Sequence, residues 1–284
     1  MDVEPADVAL LVADRYPAWA GLPVRRVPSS GTVNALFRVG DEVALRLPLH
    51  PDPDPATVER IRAAQAVTAR IPTAVALPGL LGVAAPHPRY PGWSSAYRWI
   101  DGEPIDPDAV PDRLADDLAA FVRAVRALPL DGPLLRHPWR SGPLVAVDEE
   151  VREAIAACRP FVPVPPLEAV WVDALAAPLA PSCWIHTDLM PGNLLVRDGG
   201  LAAVLDCEDV AVGDPAVDLL PAWNLLDPPA RARFRAALRV DDDAWRRGRG
   251  WALAQAALAL PYYAETNRHM ADTARRTLAA LVQD

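Results

Sequence analysis

Lysine is absent from this 284-residue chain, so all 28 of its basic residues are arginine. A phosphate-binding loop of the G-x-x-x-x-G-K-[ST] type is thereby excluded, and any side chain that anchors a phosphate has to be an arginine. Cysteine is scarce. Cys158, Cys183 and Cys207 are odd in number and far apart, and neither they nor the five histidines follow a metal-ligand spacing, so a reducing, cytoplasmic setting is expected. No G-x-S-x-G turn is present to carry a hydrolase nucleophile. No apolar run is long enough to span a bilayer, and the opening Met1-Asp2-Val3-Glu4-Pro5 is acidic without an apolar stretch behind it. Neither a secretory signal nor a membrane partner is therefore expected. Net positive charge is lacking too: 37 acidic residues give −9 and a pI near 5.1, which repels nucleic-acid phosphates and suits a cationic small molecule.

What is present reads as an α+β chain of two lobes. Apolar alternation predicts strands over 24–27, 34–39, 43–47 and 95–100, with a helix over 5–16 before them and another over 56–70 after the proline-rich 48–55. The boundary is expected near residue 100, giving lobes of 1–100 and 101–284, because Asp101-Gly102-Glu103-Pro104 breaks the pattern. Beyond it, helical periodicity dominates over about 113–127, 148–157, 167–177, 215–225, 229–237, 242–263 and 270–282. The 32 prolines fall between periodic segments and act as punctuation.

One stretch carries chemistry: His186-Thr187-Asp188-Leu189-Met190-Pro191-Gly192-Asn193, followed by Asp206 at the end of an apolar run. The pattern H-x-D-L-x-x-x-N with a later aspartate is that of a phosphoryl-transfer loop. Its Asp takes the proton of the acceptor hydroxyl, while its Asn and the second Asp hold Mg²⁺. The intervening residues supply a geometric reason for Asp206. Leu194-Leu195-Val196 and Leu201-Ala202-Ala203-Val204-Leu205 flank Asp198-Gly199-Gly200, a turn suited to positive φ. The resulting hairpin would bring Asn193 and Asp206 to neighbouring strands about 4.8 Å apart, where two oxygen ligands converge on one hard cation. Asp214 before Pro215 reads locally as a helix N-cap.

The order of a mostly β first lobe, a break, and a helical lobe bearing this loop resembles the aminoglycoside phosphotransferase family, small-molecule kinases of protein-kinase-like, bilobal architecture. The resemblance covers nearly the whole chain and rests on 186–195, Leu205-Asp206, and Gly213-Asp214-Pro215-Ala216-Val217-Asp218-Leu219. It implies that Asp188 is the catalytic base, that Asn193 and Asp206 hold Mg²⁺ on the phosphates of ATP or GTP, and that His186, Asp214 and Asp218 support the loop. In the first lobe it implies nucleotide contacts from Ser30, Gly31 and Thr32 of the loop Ser29-Ser30-Gly31-Thr32, and from Arg46, which stands where kinases carry lysine. Arg38, on the preceding strand, competes with Arg46. Glu59 is implied as the carboxylate partner of Arg46, and the linker Arg98-Trp99-Ile100-Asp101, through Arg98 and Ile100, as the adenine-side contact.

Only seven residues separate Asp206 from Asp214, too few for a peptide-docking platform, so the acceptor is expected to be small. Candidate acceptor contacts are Glu208, Asp209, Trp139, Tyr263 and Glu265, with Arg140, Trp223, Asn224, Tyr262 and Asn267 as further possibilities; carboxylates suit amines and aromatics cover rings. The run 251–260 reads as core helix. The expected activity is Mg²⁺-dependent transfer of the nucleotide γ-phosphate to a hydroxyl of an aminoglycoside or similar antibiotic, hence antibiotic resistance. A macrolide, choline, homoserine or a sugar are alternative acceptors. A non-catalytic nucleotide-binding module is the alternative of another class, against which the retention of Asp188, Asn193 and Asp206 argues.

Overall fold

Alternation decides the first sheet. In β2 (Asn34–Val39) and β3 (Val43–Pro48), Ala35, Phe37, Val39, Val43, Leu45 and Leu47 all point to one face and are buried. They meet Val8, Leu11 and Val12 of α1 (Pro5–Arg15) in a single apolar cluster. Each such valine, leucine or phenylalanine withdrawn from water stabilises the fold by about 1.5–3 kcal/mol. The antiparallel register pairs Phe37 with Leu45 and Leu36 with Arg46, so a slip of one residue would drive Arg38 and Arg46 into that core.

In this computed structural model, which describes residues 3–29 and 31–284, the chain forms two units. The first comprises Met1–Ala69 and Ala76–Asp101, the second Arg70–Val75 and Gly102–Asp284. The sheet of the first has the order β1-β2-β3-β5-β4, antiparallel throughout, with β1 (Val24–Val27), β4 (Leu80–Ala84) and β5 (Ser94–Arg98) beside the two strands already described. The edge strand β4 has no counterpart among the sequence expectations. Gly82 interrupts its apolar pattern at a register shift between Leu80 and Gly82. Helix α2 (Ala56–Thr68) follows the proline-rich turn, whose Asp52 and Asp54 carboxylates accept the N–H groups of Asp54 and Ala56.

The second unit is mostly helical: α3 (Leu114–Arg126), α4 (Asp148–Ala157), α5 (Val164–Leu175), α6 (Pro221–Asn224), α7 (Pro228–Leu238), α8 (Asp242–Tyr263) and α9 (Arg268–Gln283). Small ladders interrupt it: β6 (Glu103–Pro104), β8 (Leu194–Arg197) and β9 (Gly200–Val204) form one, β7 (Cys183–Ile185) and β10 (Ala211–Gly213) another. Helix α8 runs through the core, with Trp251, Leu253, Ala257 and Leu260 buried. Gly250 lets α5 approach it, since a Cβ there would lie 2.6 Å from that of Ala174. The helix expected over 215–225 is instead a 3₁₀ turn, Pro215–Leu219, followed by the short α6. Pro221 is the reason, because it has no N–H to give and its ring crowds the preceding turn. No helix among the described residues is long and apolar enough to cross a membrane.

An ion pair is buried in this unit. Arg247 of α8, 4% exposed, donates through Nε to Asp214 Oδ2 at 2.9 Å, while Asp214 Oδ1 caps the N–H of Ala216. Arg247→Met would leave the carboxylate buried without its cation and should destabilise the protein by about 3–5 kcal/mol in urea unfolding. A loss below about 1 kcal/mol would mean that water reaches Asp214.

Candidate active site

The hairpin after the H-x-D-L loop closes with Asp198 and Gly199 at φ 53° and 74°, the two positive values of a type I′ turn. Its ladder pairs Leu194 with Val204 and Arg197 with Gly200, and Leu205 N–H donates to Asn193 O at 2.7 Å. Asn193 and the residue after Leu205, Asp206, therefore flank the mouth of one hairpin. Asp206 itself is left-handed, at φ 58°, which turns the chain out of β9 into the 3₁₀ turn Cys207–Asp209.

Three N–H donors converge on Asp188. Asn193 Nδ2 reaches its Oδ2 at 2.8 Å and its backbone oxygen at 2.9 Å; Arg140 Nη1 and Gln255 Nε2 each reach Oδ1 at 2.9 Å. The bonds of Asn193 fix the orientation of its amide: nitrogen faces Asp188, and Oδ1 is the atom turned elsewhere. Asn193 Oδ1 and the Asp206 carboxylate are hard oxygen ligands of the kind Mg²⁺ takes alongside nucleotide phosphates and water.

Beneath the loop, Asp218 is fully buried. Its two oxygens accept the N–H of His186, both at 3.0 Å, and Oδ1 also accepts that of Thr187 at 3.1 Å. Thr187 lies at φ 78°, a costly conformation for a β-branched residue, and its hydroxyl donates to Asp209 O at 3.2 Å. The His186 ring accepts the Asp188 N–H at Nδ1 (3.3 Å), so its proton sits on Nε2, 3.0 Å from Leu205 O. Histidine thus ties the start of the loop to the residue before Asp206. Asn224 Nδ2 adds a bond to Leu189 O at 3.1 Å.

Arg140 arrives from an irregular segment held by His137. Gly213 permits the approach: a Cβ there would come within 2.9 Å of the Arg140 carbonyl oxygen. The Nη1 of Arg140 also donates to Thr187 O at 2.7 Å. His137 Nδ1 accepts the N–H groups of Trp139 (3.1 Å) and Arg140 (3.0 Å), which requires a neutral ring. Burial and then the Arg140 charge push its pKa below the ordinary 6.5, while Asp209 and Asp188 pull it upward. A folded-state value below the unfolded one means that the folded protein binds fewer protons. The contribution to stability is then complete above about pH 6.5 and is lost as pH falls through the lowered value. Melting temperature should drop on acidification in that window. His137→Asn, which keeps an acceptor and does not titrate, should flatten the slope; equal slopes would assign it to another group.

The other expected residues divide. Ser30 lies outside the described residues; the Gly31 N–H bonds Ser29 Oγ at 3.0 Å, and Gly31 is exposed and Thr32 half-buried beside it. Arg46 and Arg38 share the sheet face away from α1, Arg46 with its guanidinium 5.9 Å from the Tyr97 ring centre and Arg38 4.4 Å from that of Trp99. The expected pairing of Glu59 with Arg46 needs correction. The Glu59 carboxylate, 77% exposed, lies 3.4 Å from Arg62 one turn along its own helix, because at that position α2 turns it to solvent. Arg98 is exposed at the end of β5, its N–H on Gly79 O, and Ile100 is half-buried just beyond.

Among the acceptor candidates, Asp209 and Arg140 adjoin the loop. Glu208 is half-buried between Asp206 and Asp209. Trp139 is committed to structure, its Nε1 on Glu150 Oε2 at 2.9 Å and its ring edge-on to Trp251. Trp223, 1% exposed and packed on Trp245, is a core residue, and Asn267 caps α9 through the Met270 N–H. Tyr262 and Tyr263 pack edge to face at the end of α8, and Glu265 follows, exposed. Gln255 and His137 have no counterpart among the expectations: helical periodicity files the first with the core, and nothing in sequence marks the second. The Cys158 and Cys183 thiols, pushed by burial up to about 11 and 12, are poor nucleophiles.

An antiparallel sheet unit, a helical unit, and a loop aspartate in a cage of donors define a kinase-like phosphotransferase. The chain belongs to the Phosphotransferase enzyme family, whose pattern matches residues 24–251. Its fold is similar to that of aminoglycoside 2'-phosphotransferase-IIIa in a GDP complex, with TM-score 0.69 and 15% identity over 99% of this chain and 98% of that one. It is also similar to APH(2")-IIa in a gentamicin complex (0.63, 16%, 100% and 97%). A third similar structure is the macrolide 2'-phosphotransferase MphH of Brachybacterium faecium (0.58, 22%, 96% and 97%). No curated protein sequence matches the chain.

Proposed function

We propose that this protein transfers the γ-phosphoryl group of ATP or GTP to a hydroxyl of a small, cationic antibiotic of the aminoglycoside type. The observation that carries the reading is the state of Asp188. A carboxylate offers about four lone-pair directions; Arg140 and Gln255 take two on Oδ1 and Asn193 one on Oδ2. The direction left on Oδ2 can receive an acceptor hydroxyl, and the three donors hold that oxygen still, which is what a reaction governed by alignment asks of its base. Asn193 Oδ1 and Asp206 would hold Mg²⁺, which when bound neutralises charge on the transferring phosphates. In the first unit, Gly31, Thr32, Arg46, Arg98 and Ile100 would contact the nucleotide, with Arg46 as the phosphate anchor in a chain without lysine.

The acidic balance and the exposed carboxylates of Asp209 and Glu265 favour an amine-bearing acceptor. Among the similar structures are complexes with kanamycin, gentamicin and streptomycin, one of them also with ATP. A macrolide acceptor is the second reading, favoured by the 22% identity to the macrolide enzyme against 14–16% for the aminoglycoside enzymes. A screen for nucleoside diphosphate release over amino sugars, macrolides and cellular alcohols, with both nucleotides and Mg²⁺, tests the proposal. Release stimulated by an aminoglycoside and raised drug tolerance on expression are expected. Stimulation by macrolides alone would select the second reading, and none by any hydroxyl compound would refute both.

A further inference from the structure

Two buried carbonyl oxygens near Asp188 have no hydrogen-bond partner among the described residues: Asn224 Oδ1 and Gln255 Oε1. Asn224 is 1% exposed, and its nitrogen is committed to Leu189 O and Met190 Sδ, so its oxygen is turned the other way. Gln255 is oriented by its bond to Asp188; a flipped amide would set oxygen against carboxylate. Both residues line one cavity of about 10 Å³, together with Met190, Leu220, Met270 and Thr273 among others. That is the volume one water needs. The hydroxyls of Thr273 and Thr277, which also lines the cavity, donate back to His269 O and Thr273 O, so they add lone pairs and no free hydrogen. Its orphaned side-chain atoms, Asn224 Oδ1 and Gln255 Oε1, are therefore both acceptors. No charged side chain lines it, so a cation would lose its hydration without a counter-ion there.

We propose that this cavity binds one structural water, which donates to Asn224 Oδ1 and Gln255 Oε1, and that Gln255, so held, is a positioning residue for Asp188. The water closes a path from Leu189 O through Asn224 and Gln255 to Asp188 Oδ1, tying the carboxylate to the backbone of its own loop. The positioning role rests on the reading of Asp188 as the group that receives the acceptor hydroxyl; the water does not.

A crystal structure of the full chain that resolves ordered solvent should show one peak about 2.7–3.1 Å from both oxygens. A peak reaching one oxygen only, or none, overturns the site. Asn224→Leu and Gln255→Met remove the same water, so the double variant should lose less melting temperature than the two single losses added; additive losses overturn the shared molecule. In the transfer assay, Gln255→Met should lower kcat about tenfold, one hydrogen bond's worth, with nucleotide KM unchanged. A kcat close to the parent's, or a loss carried by the nucleotide KM, overturns the positioning role. Failure of the parent to phosphorylate any acceptor overturns it as well, while the density and the melting series still decide the water.

Discussion

Asp188→Ala is expected to lower turnover by about 10²- to 10⁴-fold with the affinity for Mg²⁺ and nucleotide largely kept, the loss typical of a missing general base. The structure adds an unequal outcome for the conservative variant. Asn193 Nδ2 donates to Asp188 Oδ2, while Arg140 and Gln255 donate to Oδ1. An asparagine at 188 has one oxygen for these three donors. Turned toward Arg140 and Gln255, it sets its own NH₂ against that of Asn193, which then has to rotate its amide and withdraw Oδ1 from the proposed metal position. Asp188→Asn should therefore raise the Mg²⁺ concentration needed for half-maximal nucleotide binding, and Asp188→Ala should not. Titration calorimetry of the two variants decides it; equal Mg²⁺ dependence would separate Asn193 from the metal, and near-normal turnover in either would remove Asp188 from the base role.

The second large effect falls on folding. Asp218→Ala would leave the N–H groups of His186 and Thr187 buried without an acceptor, at about 1–3 kcal/mol each. Out of a total stability of about 5–15 kcal/mol, a loss of about 2–6 brings the protein close to unfolding. Burial pushes the Asp218 carboxyl above the usual carboxylate range, with the charge of Arg126 and the two N–H donors pulling it back. Asp218→Asn keeps one acceptor oxygen but turns an NH₂ toward the His186 N–H, so its loss should lie between zero and that of the alanine. Urea unfolding of both variants measures the order. An alanine variant within about 1 kcal/mol of the parent would mean that Thr187, at its costly positive φ, is held by other bonds.

Local rules carried much of the architecture. Alternation in 34–39 and 43–47 is enough to pair two strands and to put Arg46 and Arg38 on the face away from the core, and Asp198-Gly199 is enough to close a hairpin that brings Asn193 beside Asp206. Helix α8 follows from its period and its Asp241 cap. Local rules also misled where a second determinant intervened: Pro221 divided a helix that the apolar pattern continued, and Gly82 concealed an edge strand.

By itself, then, the sequence determined the α+β order of elements, the absence of any lysine-based phosphate anchor, and the loop and hairpin that hold Asp188, Asn193 and Asp206, because each depends on neighbours within a turn or a strand pair. Tertiary structure alone decided what surrounds Asp188. Arg140, 48 residues before it, and Gln255, 67 after it, share its Oδ1, and Asn224 holds the loop from 35 residues beyond Leu189. One arginine among 28 has nothing in its local pattern to mark it as the partner of a particular carboxylate. Packing makes that choice: Gly213 lets the Arg140 segment approach, His137 sets its turn, and α8 carries Gln255 to the loop, and none of these distances is written in the residues nearby.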